Sequence, residues 1–426
     1  MGYSTFTAQE FANNHGPGDP TAMLADELRR QREERELSLN KVHKTFEGWF
    51  GKEYDFGALD AVLAAAAGER LPGDPVWLLL ISGPGNAKTE TVQSISGAGA
   101  HVVSTLTSDA ALLSATPRGQ RAKNATGGLL RLIGERGILV IKDVTSILSA
   151  DRNIRAAILA ALREVYDGLW VRNVGTDGGQ TLIWRGRLVT IGACTTAWDT
   201  HHAVIAIMGD RFVTVRSDSS TGRVTGGRQA MRNTGDEVRM RKELAAAVAG
   251  LIATVDPTKL YTLTEADEDT IVRAADIVTH ARTAVETDYR GDVIDAHAPE
   301  MPTRFAKQLT QIMRGAMAIG MKHDDALKLV MRCARDSVPQ LRLDALRDVA
   351  ANPGSRVVDI RRRLQKPRLT VDRTLQALHI LGLLVCHEEE AERAGKQVQV
   401  RHYRLADGIS LGPLEPPGEK KPEIPF

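Results

Sequence analysis

Residues 76–89 read VWLLLISGPGNAKT, and this stretch decides the fold. VWLLLIS (76–82) is an apolar run of strand length. Such a run fits a strand buried on both faces, as a parallel sheet requires. It leads directly into Ser82-Gly83-Pro84-Gly85-Asn86-Ala87-Lys88-Thr89 and then a helical stretch. Strand, Gly-rich turn, Lys-Thr and helix together are the context of a phosphate-binding loop. Gly83, Pro84, Gly85, Asn86, Ala87, Lys88 and Thr89 would form the cradle for ATP. Lys88 would reach the β- and γ-phosphates, and the Thr89 hydroxyl would ligate Mg²⁺. The following helix would point its N-terminus at the anion. Ser82 and Ala87 stand where the usual pattern has its two spaced glycines.

A second apolar run, Gly137-Ile138-Leu139-Val140-Ile141, ends in Lys142-Asp143. Four apolar residues ending in an acid form a Walker B strand, whose carboxylate holds the Mg²⁺ water shell. The usual ending is Asp-Glu. In one register Lys142 takes the metal position and Asp143 the catalytic one. In the other, Asp143 is the metal ligand and Val144 replaces the Glu. Either way one carboxylate remains, so nucleotide binding is better supported than hydrolysis. Asp151 is a candidate second acid.

Outward from these runs, HVVSTL (101–106), LVTIGA (188–193) and FVTV (212–215) alternate with helix-like segments. Strand–helix alternation indicates an α/β domain with a mainly parallel sheet. The expected organisation is an N-terminal arm over 1–45, an α/β core over 46–236, a helical lid over 237–338, a winged helix over 339–410 and a flexible tail over 411–426. Residues 1–20 are expected to be mobile. Residues 21–39 read as a charged helix with a weak stripe at Met23, Leu24 and Leu28, and residues 55–68 as an amphipathic helix. In the C-terminal part, helices over 343–351, 355–365 (capped by Ser355) and 370–384 (capped by Thr370) precede a hairpin.

The 426 residues fit two or three domains. Lys+Arg number 55 against 53 Asp+Glu, a net charge of +2, which excludes a histone-like chain. Aromatic residues at 4% argue against a large base-stacking platform. Cys194, Cys333 and Cys386 lack disulfide-framework or metal spacing, which fits a reducing compartment. Neither a signal peptide nor a bilayer-length apolar run is seen, so a cytoplasmic protein with no membrane partner is expected.

Taken together these residues resemble an AAA+ ATPase, and more narrowly the minichromosome maintenance (MCM) helicase group with its pre-sensor-1 hairpin. That group has Ala before the loop Lys, as at Ala87, and a run similar to Gly127–Gly137 before Walker B. Residues 169–186, with a Gly178-Gly179 tip, look like the hairpin that points into a ring pore. Asp177 lies at its tip and Arg172, Arg185 and Arg187 on its flanks. The resemblance implies sensor 1 at Thr195 or Thr196. It implies an arginine finger at Arg211, within Gly209-Asp210-Arg211-Phe212, acting on a neighbouring subunit's γ-phosphate. It implies sensor 2 at Arg304, within Met301–Phe305. A ring or arc oligomer, a hexamer in the family, follows from a finger acting in trans. The family's zinc-bearing N-terminal domain has no counterpart in the 45 residues before the core.

The third C-terminal helix would offer Lys366, Arg368, Arg373 and Gln376 to DNA, with Arg361–Arg363 beside them. Glu388-Glu389-Glu390 and Glu392 on the wing would repel phosphate, so protein docking stays open. Pro422-Glu423-Ile424-Pro425-Phe426 resembles the tip of bacterial single-stranded DNA-binding proteins, which implies recruitment of replication or repair proteins. These signs converge on an ATP-dependent protein acting on DNA, as helicase-like motor or loader, in a bacterial or phage-infected cell. The rivals are a nucleotide-gated assembly switch with little turnover, and a protein remodeller gripping polypeptide near Trp170 and Trp184.

Overall fold

The computed structural model describes residues 20–117, 119, 122–123, 125–207, 210–217, 222–393 and 396–415. Residues 1–19 and the terminal Pro422–Phe426 motif therefore lie outside the described residues. The first described elements are helices α1 (Pro20–Phe50) and α2 (Phe56–Ala67). Strand β1 (Trp77–Ile81), helix α3 (Lys88–Gln93) and strand β2 (His101–Val103) follow. Next come α4 (Leu129–Ile133), β3 (Arg136–Ile141), α5 (Thr145–Leu148) and α6 (Arg152–Tyr166). A hairpin of β4 (Leu169–Val174) and β5 (Gln180–Arg185) precedes β6 (Arg187–Cys194), α7 (Ala197–Ile207) and β7 (Val213–Arg216).

β1, β2, β3, β6 and β7 form one parallel five-stranded sheet in the order β2-β3-β6-β1-β7. The α/β class and parallel sheet expected from the sequence are what is found. Side chains alternate across the sheet. Leu78, Leu80, Ile138 and Val140 enter the core shared with α2 and the later helices. Trp77, Leu79, Ile81, Leu139 and Ile141 enter a second core with α6 and the β4–β5 hairpin. Burial on both faces is why VWLLLI carries no polar interruption.

Helix α2 differs from expectation. It is buried nearly all round, with Ala58 through Ala67 inside. Its alanines admit α11, introduced below, so closely that a Cβ on Gly315 would lie 2.1 Å from the Ala64 carbonyl oxygen. Helix α1 runs past the expected boundary at 45. Its Leu39, Val42, Phe46 and Trp49, spaced three and four residues apart, are all buried. Leu28 is exposed, and the side chains of Met23 and Leu24 lie outside the described residues.

After β7 come α8 (Arg223–Arg232), α9 (Glu237–Ala253) and α10 (Glu265–Ala281). A Thr264–Asp267 capping box starts α10. A short hairpin, β8 (Val285–Thr287) and β9 (Val293–Ala296), then interrupts the expected helical lid. Strands of three and four residues span too little of a two-residue period to register. α11 (Thr303–Ala318) and α12 (His323–Asp336) complete the set.

The C-terminal unit holds α13 (Gln340–Ala351), β10 (Ser355–Arg356), α14 (Val357–Leu364), α15 (Arg368–Ile380), β11 (Leu384–Arg393) and β12 (Lys396–Leu405). Three helices and an antiparallel hairpin appear in the expected order, with shifted caps. Ser355 sits in β10 opposite Tyr403, and α14 starts two residues later. α15 starts after Pro367, whose fixed φ suits a helix entry, not at Thr370. The expected tail from 411 does not begin there. Leu411 and Leu414 are buried, and Glu415 pairs with Arg347 at 3.2 Å. Among the described residues no helix is long and apolar enough to cross a membrane.

Candidate nucleotide site

Strand β1 delivers the loop. The Ser82 N–H donates to the Cys194 carbonyl at 3.2 Å, tying the loop's first residue to β6. Gly85 has φ +79°, and Ala87 has φ +52° as the residue that starts α3. Lys88 Nζ donates to the Gly83 carbonyl at 3.3 Å, and Asn86 Nδ2 to Ser217 Oγ at 3.0 Å. Thr89 is exposed. A left-handed alanine costs about 1 kcal/mol more than glycine there. Ala87→Gly should therefore stabilise the chain by about 0.5 kcal/mol after its loss of chain entropy. Ala87→Val should destabilise it by about 1 kcal/mol. Urea midpoints at constant slope check both, and a lower midpoint for the glycine variant would refute the strain.

Asp143 lies between β3 and α5, just before Val144, which caps that helix. Its carboxylate accepts the Ser146 hydroxyl and, at 3.4 Å, the Ser146 N–H. Burial lowers the Lys88 pKa, while Cys194 and Asp143 pull it back up. Of the two residues in the Lys142-Asp143 pair, Asp143 is thus the charge that acts on Lys88. Thr195 follows β6, and its N–H donates to Thr145 Oγ1 at 3.1 Å. The two threonine hydroxyls lie 3.3 Å apart. Thr145 was not singled out from the sequence; a Thr two places after an acid carries no signal until β6 is known to lie beside β3. Asp151 caps α6 through Asn153 N at 2.9 Å and is exposed.

Beside the loop lies a cavity of about 560 Å³. Its walls include Trp49, Phe50 and Tyr54 on one side and α8 on the other. Phe50 and Tyr54 stack with centroids 5.1 Å apart and planes at 24°. The Tyr54 hydroxyl pairs with Thr91 Oγ1 at 2.7 Å, and Thr91 also donates to the Ala87 carbonyl at 3.0 Å. The aromatic wall is thereby joined to the loop. Nothing in sequence spacing connects residues 49–54 with 83–91.

Arg211 and Arg304 lie elsewhere. Val213 is level with Leu78 in the parallel pairing, so Arg211 precedes β7 at the end of the strands opposite the loop. At about 3.3 Å per residue this is on the order of 20 Å from Lys88. Arg211 pairs with Asp167 at 3.3 Å and lies 5.7 Å from the Tyr166 ring. Arg304 approaches the same ring at 6.0 Å and pairs with Glu300 at 3.2 Å. Burial lowers the Arg211 pKa, and neighbouring Arg304 lowers it further. The two arginines share one face, which does not include their own loop. Gly209, the first residue of the Arg211 motif, lies outside the described residues.

Several basic residues singled out for nucleic acid are occupied within the chain. Arg172 pairs with Asp109 at 2.8 Å, and Arg187 donates to the carbonyls of Gly68, Glu69, Gly73 and Asp74. Trp170 and Trp184 are a buried cross-strand pair, so neither is presented for gripping polypeptide. Arg363 makes a two-pronged pair with buried Asp348 at 2.7 Å. Arg373 is clasped by the β8–β9 tip. It meets Asp292 at 3.2 Å and the Arg290 carbonyl, and a Cβ on Gly291 would come within 2.8 Å of its guanidinium. Lys366 and Arg368 remain exposed.

No protein-family model and no curated protein matches this chain. Among solved structures it is similar to the apo C-terminal region of NrS-1. Identity is 11% over 86% of this chain and 76% of that one, with a TM-score of 0.26, too low to carry an argument.

Proposed function

We propose that this chain is an ATP-binding protein of the AAA+ type that assembles with copies of itself and acts on DNA. One observation carries the reading. Three neighbouring strands, β1, β6 and β3, release Lys88, Thr195 and Asp143 at the same edge of one parallel sheet. Ligands of open α/β sheets bind at that edge. The residues fit ATP and Mg²⁺. Gly85 and Ala87 hold the left-handed backbone with which the loop would wrap a phosphate, Thr89 and Asp143 would hold the metal, and the Phe50–Tyr54 wall would face the base. The metal would neutralise phosphate charge. Lys88 would orient the phosphates, and Thr195 would position a water or phosphate oxygen beside Asp143.

The distance of Arg211 and Arg304 from their own loop supports oligomerisation, because each could reach a phosphate only on a neighbouring copy. The C-terminal unit supports a winged-helix reading, with Lys366 and Arg368 as its free phosphate contacts. The second reading is an ATP-gated switch with slow turnover. The single carboxylate at the β3 end and the clasp on Arg373 favour it. ATP turnover, measured alone and with single- or double-stranded DNA, tests the reading. The expected result is turnover that rises with DNA. Tight ATP binding without turnover under any DNA condition selects the switch, and no ATP binding ends both readings.

A further inference from the structure

Helix α1 carries a buried charge that the nucleotide site does not use. Arg35 is only 4% exposed. Its Nη1 donates to the Tyr261 hydroxyl oxygen at 3.1 Å, and among the described residues no carboxylate comes within ion-pair distance. Lys259 stands over the same ring, its Nζ 5.4 Å from the centroid. Arg32 lies one turn earlier on α1 and is exposed. Asp256 is the nearby carboxylate, and Thr258 already engages it through N and Oγ1 at 2.8 and 2.7 Å. The position of Arg35 is fixed by a backbone crossing. A Cβ on Gly320, in the turn between α11 and α12, would lie 2.7 Å from the Arg35 carbonyl carbon.

A buried guanidinium with a neutral partner is costly unless a counter-charge joins it. Here Arg35 and Arg32 act on Lys259 beside a single carboxylate, Asp256. Burial lowers the Lys259 pKa, and Arg35 and Arg32 lower it further against Asp256. The Tyr261 oxygen accepts from Arg35, which leaves its own proton to donate. We propose that Arg35, Tyr261, Lys259 and Arg32 form an anion site, separate from loop 83–89, for a phosphate-bearing ligand. The guanidinium fork and the ammonium match phosphate oxygens, and two excess positive charges match a dianion better than a single carboxylate. The phosphate could belong to a free polyphosphate or to a nucleic-acid backbone.

The test uses the full chain carrying Lys88→Ala, so that the loop does not dominate. Pyrophosphate and a short oligodeoxythymidylate are titrated separately by calorimetry at constant ionic strength. Saturable binding is expected, weakened about tenfold or more when Arg32→Ala and Lys259→Ala are added. Arg32 is exposed and Lys259 half-buried, so the fold is expected to survive, which the Tm without ligand checks. Arg35→Met keeps the volume without the charge. It should be at least as stable as the parent without ligand and lose the pyrophosphate-induced rise in Tm. Pyrophosphate binding alone identifies a free anion as the ligand, and binding of both identifies the backbone phosphate. No saturable binding of either, or binding unchanged by the Arg32 and Lys259 substitutions, overturns the site.

Discussion

Lys88→Ala should weaken ATP binding about a hundredfold, a loss of roughly 3 kcal/mol for removing one partner of a desolvated charge pair. Asp143→Ala should retain binding in the absence of metal but lose its Mg²⁺ dependence, and with it any turnover. The contrast follows from where the two groups sit. Lys88 leaves the loop itself and donates to the Gly83 carbonyl, so on the proposed reading it would meet the phosphates directly. Asp143 leaves the second strand over and is held by Ser146, so it would act through the metal. The effect on Lys88 also has a pH sign. Burial disfavours its ammonium, whereas a bound phosphate favours it. Affinity should be full at neutral pH and fall as pH rises through the lowered Lys88 pKa. Titration of a fluorescent ATP analogue with and without Mg²⁺ separates the cases. An unchanged Kd in Lys88→Ala would remove loop 83–89 as the phosphate site.

The parts of this site legible in the sequence are those carried by continuous strands. β1 and β3 are buried on both faces, so their residues read as unbroken apolar runs ending at the loop and at Asp143. The parts that were not legible depend on distant segments meeting. Tyr54 matters because its hydroxyl reaches Thr91, and Thr145 because β6 brings Thr195 beside it. The basic C-terminal face read as a set of free cations because its acids lie elsewhere. Asp348 is 15 residues before Arg363, and Asp292 is 81 before Arg373. Charge counting along the chain does not see such pairs. The clasp has a functional consequence. On the proposed DNA reading, Arg373 is already engaged by Asp292 and the Arg290 carbonyl, so contact would begin from Lys366 and Arg368 or require the β8–β9 tip to move.

Arg211→Ala should abolish most ATP turnover, by about a thousandfold if the guanidinium acts as a finger, while leaving ATP binding near its original strength. The geometry argues against a cis role, since Arg211 precedes β7 and its own Lys88 follows β1, at opposite ends of two adjacent parallel strands. Mixing therefore gives a sharper readout than either variant alone. In an equal mixture of Arg211→Ala and Lys88→Ala subunits, about one interface in four joins an intact loop to an intact arginine, because each heterologous contact takes one face from each copy. Turnover should recover to roughly that fraction. Arg304 shares the Tyr166 face with Arg211, so Arg304→Ala should also be rescued by Lys88→Ala subunits. Arg211→Ala and Arg304→Ala subunits should not rescue each other well. Half their mixed interfaces lack one arginine and the other half lack the other, whichever subunits meet. Recovery in that last mixture would place Arg304 on the loop side of the contact, and no recovery in the first would mean that Arg211 does not complete a shared site.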